Sequence, residues 1–306
     1  MQGANEQDIE PGASAPPPEG ANRLKQSVGQ RWLTALILMP IVLGFTLAGG
    51  WWAFVVATVV VVVCVFELHK MMVHAGYHPL IWVSLALSLL FLVAAMLPKF
   101  SLIMLQSGLG GVLLISLPWL FFRKKLDGAV IDWAMTLAIS IYIGWSMSCF
   151  LVLRGYEQLV IDFPNTPWIV LPRGLWWVLF VLLGVWGADS AAFFTGRYLG
   201  RHKLAPHISP GKTWEGVAGG LVLSVIAALI FTVGPLGVPW YLAIVLALLM
   251  GAAGVLGDLS ESLIKRQMHV KDSGQIVPGH GGLLDRMDSL LFAVIVVFLF
   301  TQWAGK

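Results

Sequence analysis

The sequence predicts an all-α polytopic integral membrane protein with about nine transmembrane helices, and three observations carry that prediction. Among 306 residues there are only 19 Lys or Arg and 16 Asp or Glu, so charged side chains make up 11% of the chain, against about 25% in soluble domains. Apolar residues make up 58%, with 14 Trp and 16 Phe, more than one soluble core of this length buries. Apolar stretches long enough to cross ~30 Å of hydrocarbon, about 20 residues each, follow one another almost without pause. Unbroken runs such as Val59 to Val63 and Leu242 to Met250 lack the two-residue alternation of barrel strands, which leaves helices as the way to satisfy backbone polar groups in lipid.

Residues 1–28 are rich in Pro, Gly, Ala and Glu without apolar periodicity, which predicts a disordered tail. It does not read as a secretory signal, because the first apolar run begins only near Trp32 and passes into a longer one. The apolar runs then cover roughly 33–50, 51–68, 80–98, 101–122, 130–153, 174–196, 215–234, 238–258 and 288–304. Pro98, Pro118, Pro235 and Pro239 sit at or near their ends, where a missing backbone donor costs least. Cys64 and Cys149 both lie inside apolar runs, so neither a disulfide framework nor a thiolate metal site is expected. A net charge of +3 is too small to imply a nucleic-acid partner. With a cytoplasmic N-terminus and nine crossings, 15 of the 19 basic residues fall on the cytoplasmic side. That bias places the N-terminus inside and the C-terminus on the opposite side.

Charge is also unevenly spread along the chain. Residues 33–122 hold only Glu67, Lys70 and Lys99, so residues 29–153 read as scaffold helices. Residues 174–304 read as the catalytic region, because its cytoplasmic loops, 197–215 and 258–288, hold 14 charges between them. Glu67 reads as either a structural partner or part of a cavity wall. His69, His74 and His78 have no metal-ligand partners nearby and read as interfacial.

Three constellations carry chemistry. Asp189 lies in the apolar run LLGVWGADSAAFFTGRYLG. An ionised carboxylate there is expensive in lipid, so it should face a polar cavity. Ser190 follows it, and Arg197 lies two turns on. The segment RHKLAPHISPGKTWEG ends like a phosphate-binding loop, but Pro206 stands where the first glycine of that motif belongs. What remains is a basic loop with Lys203, Lys212, Ser209 and Thr213, leading into a helix near Glu215, a fit seat for phosphate. Third, Asp258, Glu261, Ser262 and Lys265 share one helix face at i, i+3, i+4 and i+7, and Asp285 shares another with Asp288. Gly279 to Gly282 lie between them and allow close backbone approach. Carboxylates beside Lys and Arg suit a magnesium nucleotide. Gly216 and Gly220 read as a helix packing face.

The run Ser262, Lys265, Arg266, Lys271, Asp272, Pro278, His280, Gly281, Gly282, Asp285, Arg286 and Asp288 resembles the signature of the phosphatidate cytidylyltransferases, also called CDP-diacylglycerol synthases. SPGKTWEG and the Asp189, Ser190, Arg197 helix look like that family too, so the likeness covers about residues 175–290 by motif. Gly211 stands where many members carry a basic residue, which leaves Lys212 alone in that role. The resemblance implies transfer of the cytidylyl group of CTP to phosphatidate, giving CDP-diacylglycerol and pyrophosphate. It further implies Mg²⁺ with room for a second cation, a homodimer, and a place in the bacterial inner membrane with the site facing the cytoplasm. On this reading Asp258, Asp285 and Asp288 hold the metal, with Asp189 as a further ligand or its orienter. Lys265, Arg266, Lys271 and Arg286 bind the triphosphate and the lipid headgroup, and His280 donates to the leaving pyrophosphate. Arg197, Lys203, Ser209, Lys212, Thr213, Ser262, Gly281 and Gly282 complete the substrate site. A CTP-dependent lipid or polyprenol kinase is the alternative, and a secondary transporter a more distant one.

Overall fold

A computed structural model describes residues 40–123, 126–155, 172–274 and 281–303, so the expected tail lies outside the described residues. Helix α1 covers residues 40–48. It is followed by α2 (Gly50–His74), α3 (Ile81–Met96), α4 (Ser101–Phe122), α5 (Ala129–Arg154), α6 (Arg173–Leu199), α7 (Trp214–Leu236), α8 (Trp240–Gln267) and α9 (Leu284–Trp303). Six of these, α2 and α4 to α8, are long and apolar enough to cross a bilayer, and the protein is an integral membrane protein. Every expected apolar run contains a helix among the described residues. However, α3 has only 16 residues, and the first run is described only from residue 40.

The fold is all-α, as expected, apart from one short hairpin among the described residues. Within the segment expected to be a loop, β1 (Lys203–Ala205) pairs antiparallel with β2 (Ser209–Thr213), Lys203 opposite Thr213 and Ala205 opposite Ser209. The sequence hid this hairpin because SPGKT has neither β-branched alternation nor an apolar face.

The helices pack chiefly as α6 on α7, α8 on α7 and α9, and α3 on α5, while α4 leans on α3 and buries only Ser116 over Ser101–Trp119. Trp177 and Phe180 of α6 are fully buried at the centre. Between α3 and α5, polar side chains serve as glue in place of a hydrophobic driving force. The Leu80 N–H donates to Thr136 Oγ1 at 2.8 Å, and Ser140 Oγ donates to Ser84 O at 3.2 Å. Arg123 pairs with buried Asp132, which also accepts from His78 N at 2.7 Å. These contacts tie the turn after α2 and the end of α4 to the start of α5. The expected packing face of Gly216 and Gly220 lies against α6, where added Cβ atoms would meet Ala192 O at 2.8 Å and Ala188 O at 3.1 Å.

Candidate functional site

Four pieces of chain bring their charged ends to one end of the bundle: α6, the β1–β2 hairpin, the last three turns of α8, and the first turn of α9. Their meeting is set by close backbone contact. At Gly257 of α8 an added Cβ would stand 2.4 Å from Asp288 O, so only a glycine lets α8 and α9 approach this closely. The flanking residue Asp258 and Asp288 itself are thereby held near each other.

Lysines of β2 and α8 pair with carboxylates of α8 and α9. Lys212 Nζ of β2 lies 2.7 Å from Asp258 Oδ2 of α8. Lys265 Nζ of α8 lies 2.7 Å from Asp285 Oδ1 of α9 and 3.2 Å from Glu261 Oε2 one turn back. The face predicted for α8 is therefore real: Ser262 Oγ donates to Asp258 Oδ1 at 3.3 Å, and Lys265 reaches Glu261. Glu261 is fully buried, and its second oxygen has no hydrogen-bond partner. Asp285 is heavily engaged. Besides Lys265, its carboxylate accepts from Gly282 N at 2.9 Å and from Ser273 N at 3.1 Å.

Asp189 lines a small gap of about 30 Å³ between α6, α7 and α8, with Ala188, Ser224, Gly251 and Val255 among the other lining residues. It faces a cavity, as its cost in lipid demands. Asp258, Asp288, Lys212 and Arg286 all lie close enough to act on its charge.

The remaining predicted residues sort by position. Arg266 is exposed and its Nε donates to Ile208 O at 3.4 Å, joining α8 to the hairpin. Arg197, Lys203, Lys271 and Arg286 are exposed around the same end, and Ser209 opens β2. Gly281 and Gly282 lead into α9, Gly281 with φ of 87°, a backbone that L side chains rarely adopt. Thr213 does something sequence reasoning did not assign to it. It is buried and its hydroxyl accepts from Gly216 N at 3.1 Å, capping α7. Thr213 immediately before a helix bearing Glu215 in its first turn was the available signal. His280 lies outside the described residues. Glu67, left open by the sequence, is buried against the residues that start α9.

These oxygen donors suit a hard cation. Among the described residues no three His, Cys, Asp or Glu are already gathered to hold an ion. Magnesium is usually held by one or two carboxylates, with waters and substrate phosphates completing its shell. Asp258 and Asp288, held near each other by the Gly257 contact, fit that pattern.

The chain matches the sequence profile of the "Cytidylyltransferase family" over residues 29–304. It belongs to the cytidylyltransferase family. Within that family it is 38% identical over 292 residues to the phosphatidate cytidylyltransferase of Pseudomonas aeruginosa, covering 90% of this chain and 97% of that protein. The Bacillus subtilis phosphatidate cytidylyltransferase is 42% identical over 161 residues, 52% of this chain and 54% of that protein. The Haemophilus influenzae one is 50% identical over 129 residues, 40% and 44%. The aligned part thus spans about half the length of the last two relatives and nearly all of the first.

Proposed function

We propose that the protein transfers the cytidylyl group of CTP to phosphatidate, giving CDP-diacylglycerol and pyrophosphate. The observation that carries this reading is the pairing of Lys212 with Asp258 and of Lys265 with Asp285, which puts phosphate-binding and cation-binding groups side by side at one end of a membrane bundle. A phosphate-headed lipid stays at the interface, so joining it to a soluble nucleotide needs a polar site opening between helices toward the headgroups. Asp189, lining a gap between α6, α7 and α8 within reach of the charges of Asp258, Asp288, Lys212 and Arg286, lies beside that site.

In the reaction, a phosphatidate phosphate oxygen forms a bond to the α-phosphorus of CTP. The bond from that phosphorus to the α,β-bridging oxygen breaks, and the electron pair leaves on pyrophosphate. Positioning and charge neutralisation supply most of the rate in such transfers. Lys265, Arg266, Lys271 and Arg286, with Arg197, Lys203 and Lys212, hold the triphosphate and the headgroup. The lysines exchange their carboxylate partners for phosphate oxygens, and Ser209, Ser262, Thr213 and the amides at Gly281 and Gly282 frame the site. His280 donates to the departing pyrophosphate. Asp258, Asp285 and Asp288 would hold Mg²⁺, with Asp189 as a further ligand or its orienter and a second cation alongside. When bound, the ion neutralises charge on the phosphates.

The same reading gives nine crossings, with the N-terminus and the site on the cytoplasmic side of a bacterial inner membrane and the C-terminus opposite. It is supported by the basic-residue bias and by the charged ends of α6, α8 and α9 lying together, while Arg154 meets Thr46 O and Leu47 O at the end of α1. A homodimer rests on the family resemblance. The test gives purified protein phosphatidate, Mg²⁺ and CTP labelled in the cytosine and in the γ-phosphate. Cytosine label in the lipid with γ-label in pyrophosphate is the expected result; γ-label in the lipid would mean a kinase.

A further inference from the structure

The charge-poor half contributes one carboxylate to the site, and the reaction written above does not use it. Glu67 of α2 is 2% exposed, and its partners lie more than two hundred residues away. Oε1 accepts from Leu283 N at 3.0 Å, and Oε2 accepts from Leu284 N at 2.8 Å and from Ser273 Oγ at 3.4 Å. Leu283 and Leu284 start α9, so their N–H groups are among those a helix leaves without internal partners. Neither leucine side chain can cap them. Glu67 does so from another helix, its negative charge lying at the positive end of the α9 dipole.

The glycines next to it make room for this contact. A Cβ at Gly274 would stand 2.5 Å from Glu67 Oε1, and one at Gly282 would stand 2.8 Å from Oε2 and 1.9 Å from Ser273 Oγ. Glu67 therefore grips the chain both at Ser273 and at the head of α9. Asp285, the next residue after Leu284, holds the opposite side through Lys265. A buried carboxylate is costly unless its hydrogen bonds are made. Packing of α2 alone would be served by an apolar side chain, which would orphan both amides.

We propose that Glu67 is a positioning residue of the transferase site: it fixes the first turn of α9, and through it the placement of Asp285 and Asp288. The inference rests on the reaction proposed above. The test compares wild type, Glu67→Ala and Glu67→Gln, purified in nanodiscs, by amide hydrogen exchange without substrate or metal and by steady-state cytidylyl transfer. In Glu67→Ala, exchange over residues 282–286 should rise at least about tenfold, with α5 and α6 keeping wild-type protection. Its kcat should fall about 10- to 100-fold, with KM for CTP changed less than about threefold, because the exposed basic residues keep their places. Glu67→Gln keeps one oxygen acceptor and should recover part of both losses; it also carries the test if the alanine variant does not fold. Wild-type exchange over 282–286, wild-type kcat, or a rise in exchange spread evenly over the bundle would each overturn the positioning role. A wild-type protein without cytidylyl transfer would instead overturn the reaction, and the exchange data would then report the anchoring alone.

Discussion

Lys265 is the ammonium on which two buried carboxylates depend, so Lys265→Met should be one of the more damaging single substitutions in the protein. The side chains of Lys265, Glu261 and Asp285 are 15%, 0% and 10% exposed, which puts the group among buried pairs. Removing one partner of a buried pair costs about 3–5 kcal/mol, because a charge is left without compensation. The two carboxylates do not share that cost equally. Asp285 keeps the amides of Ser273 and Gly282, whereas Glu261 has one oxygen already unpartnered. Most of the loss should therefore sit on Glu261, and adding Glu261→Gln to Lys265→Met should recover about 2 kcal/mol or more. The assay is reversible unfolding in mixed micelles, run as a double-mutant cycle. A Lys265→Met protein within about 0.5 kcal/mol of wild type, or a double variant no more stable than the single one, would refute the argument that these charges compensate one another.

Further outcomes follow from other contacts. Thr213→Val removes the cap of α7 and should cost about 1 kcal/mol in the same unfolding assay, with Thr213→Ser close to wild type. Gly257→Ala drives a methyl group against Asp288 O and should cost about 1–3 kcal/mol; turnover should fall more steeply than folded yield, as a cytidylyl-transfer assay normalised to folded protein would record. Chelation by EDTA should abolish turnover and added Mg²⁺ restore it. Asp288→Asn should raise the half-saturating Mg²⁺ about 10-fold or more, read from magnesium titrations at saturating CTP.

What the sequence revealed follows from what each signal measures. Apolar runs were legible because lipid imposes the same length on every crossing helix. The Glu261–Lys265 contact was legible because both residues belong to one helix and fall four apart. Lys265 to Asp285 and Glu67 to Leu284 were not, since helical periodicity describes one element and says nothing of which other element comes to meet it. Glu67 showed only as a lone carboxylate in a hydrocarbon run, a sign of burial without an address. The hairpin was hidden because its pairing is satisfied by backbone in a stretch whose side chains carry no alternation. Thr213 was read for its hydroxyl beside Lys212, when its position before a helix already offered that hydroxyl a backbone partner.

The absent side chain at Gly257 has a further effect. Two acidic groups proposed to accept the same cation stand on different helices, and the spacer between those helices is a main-chain contact with no rotamers to sample. Bilayers swell, thin and bend around such a bundle, and side chains facing the lipid drift freely in sequence and in conformation. The interval between the two negative charges is insulated from that traffic, much as the gap of a caliper is kept by its frame whatever happens to the handle.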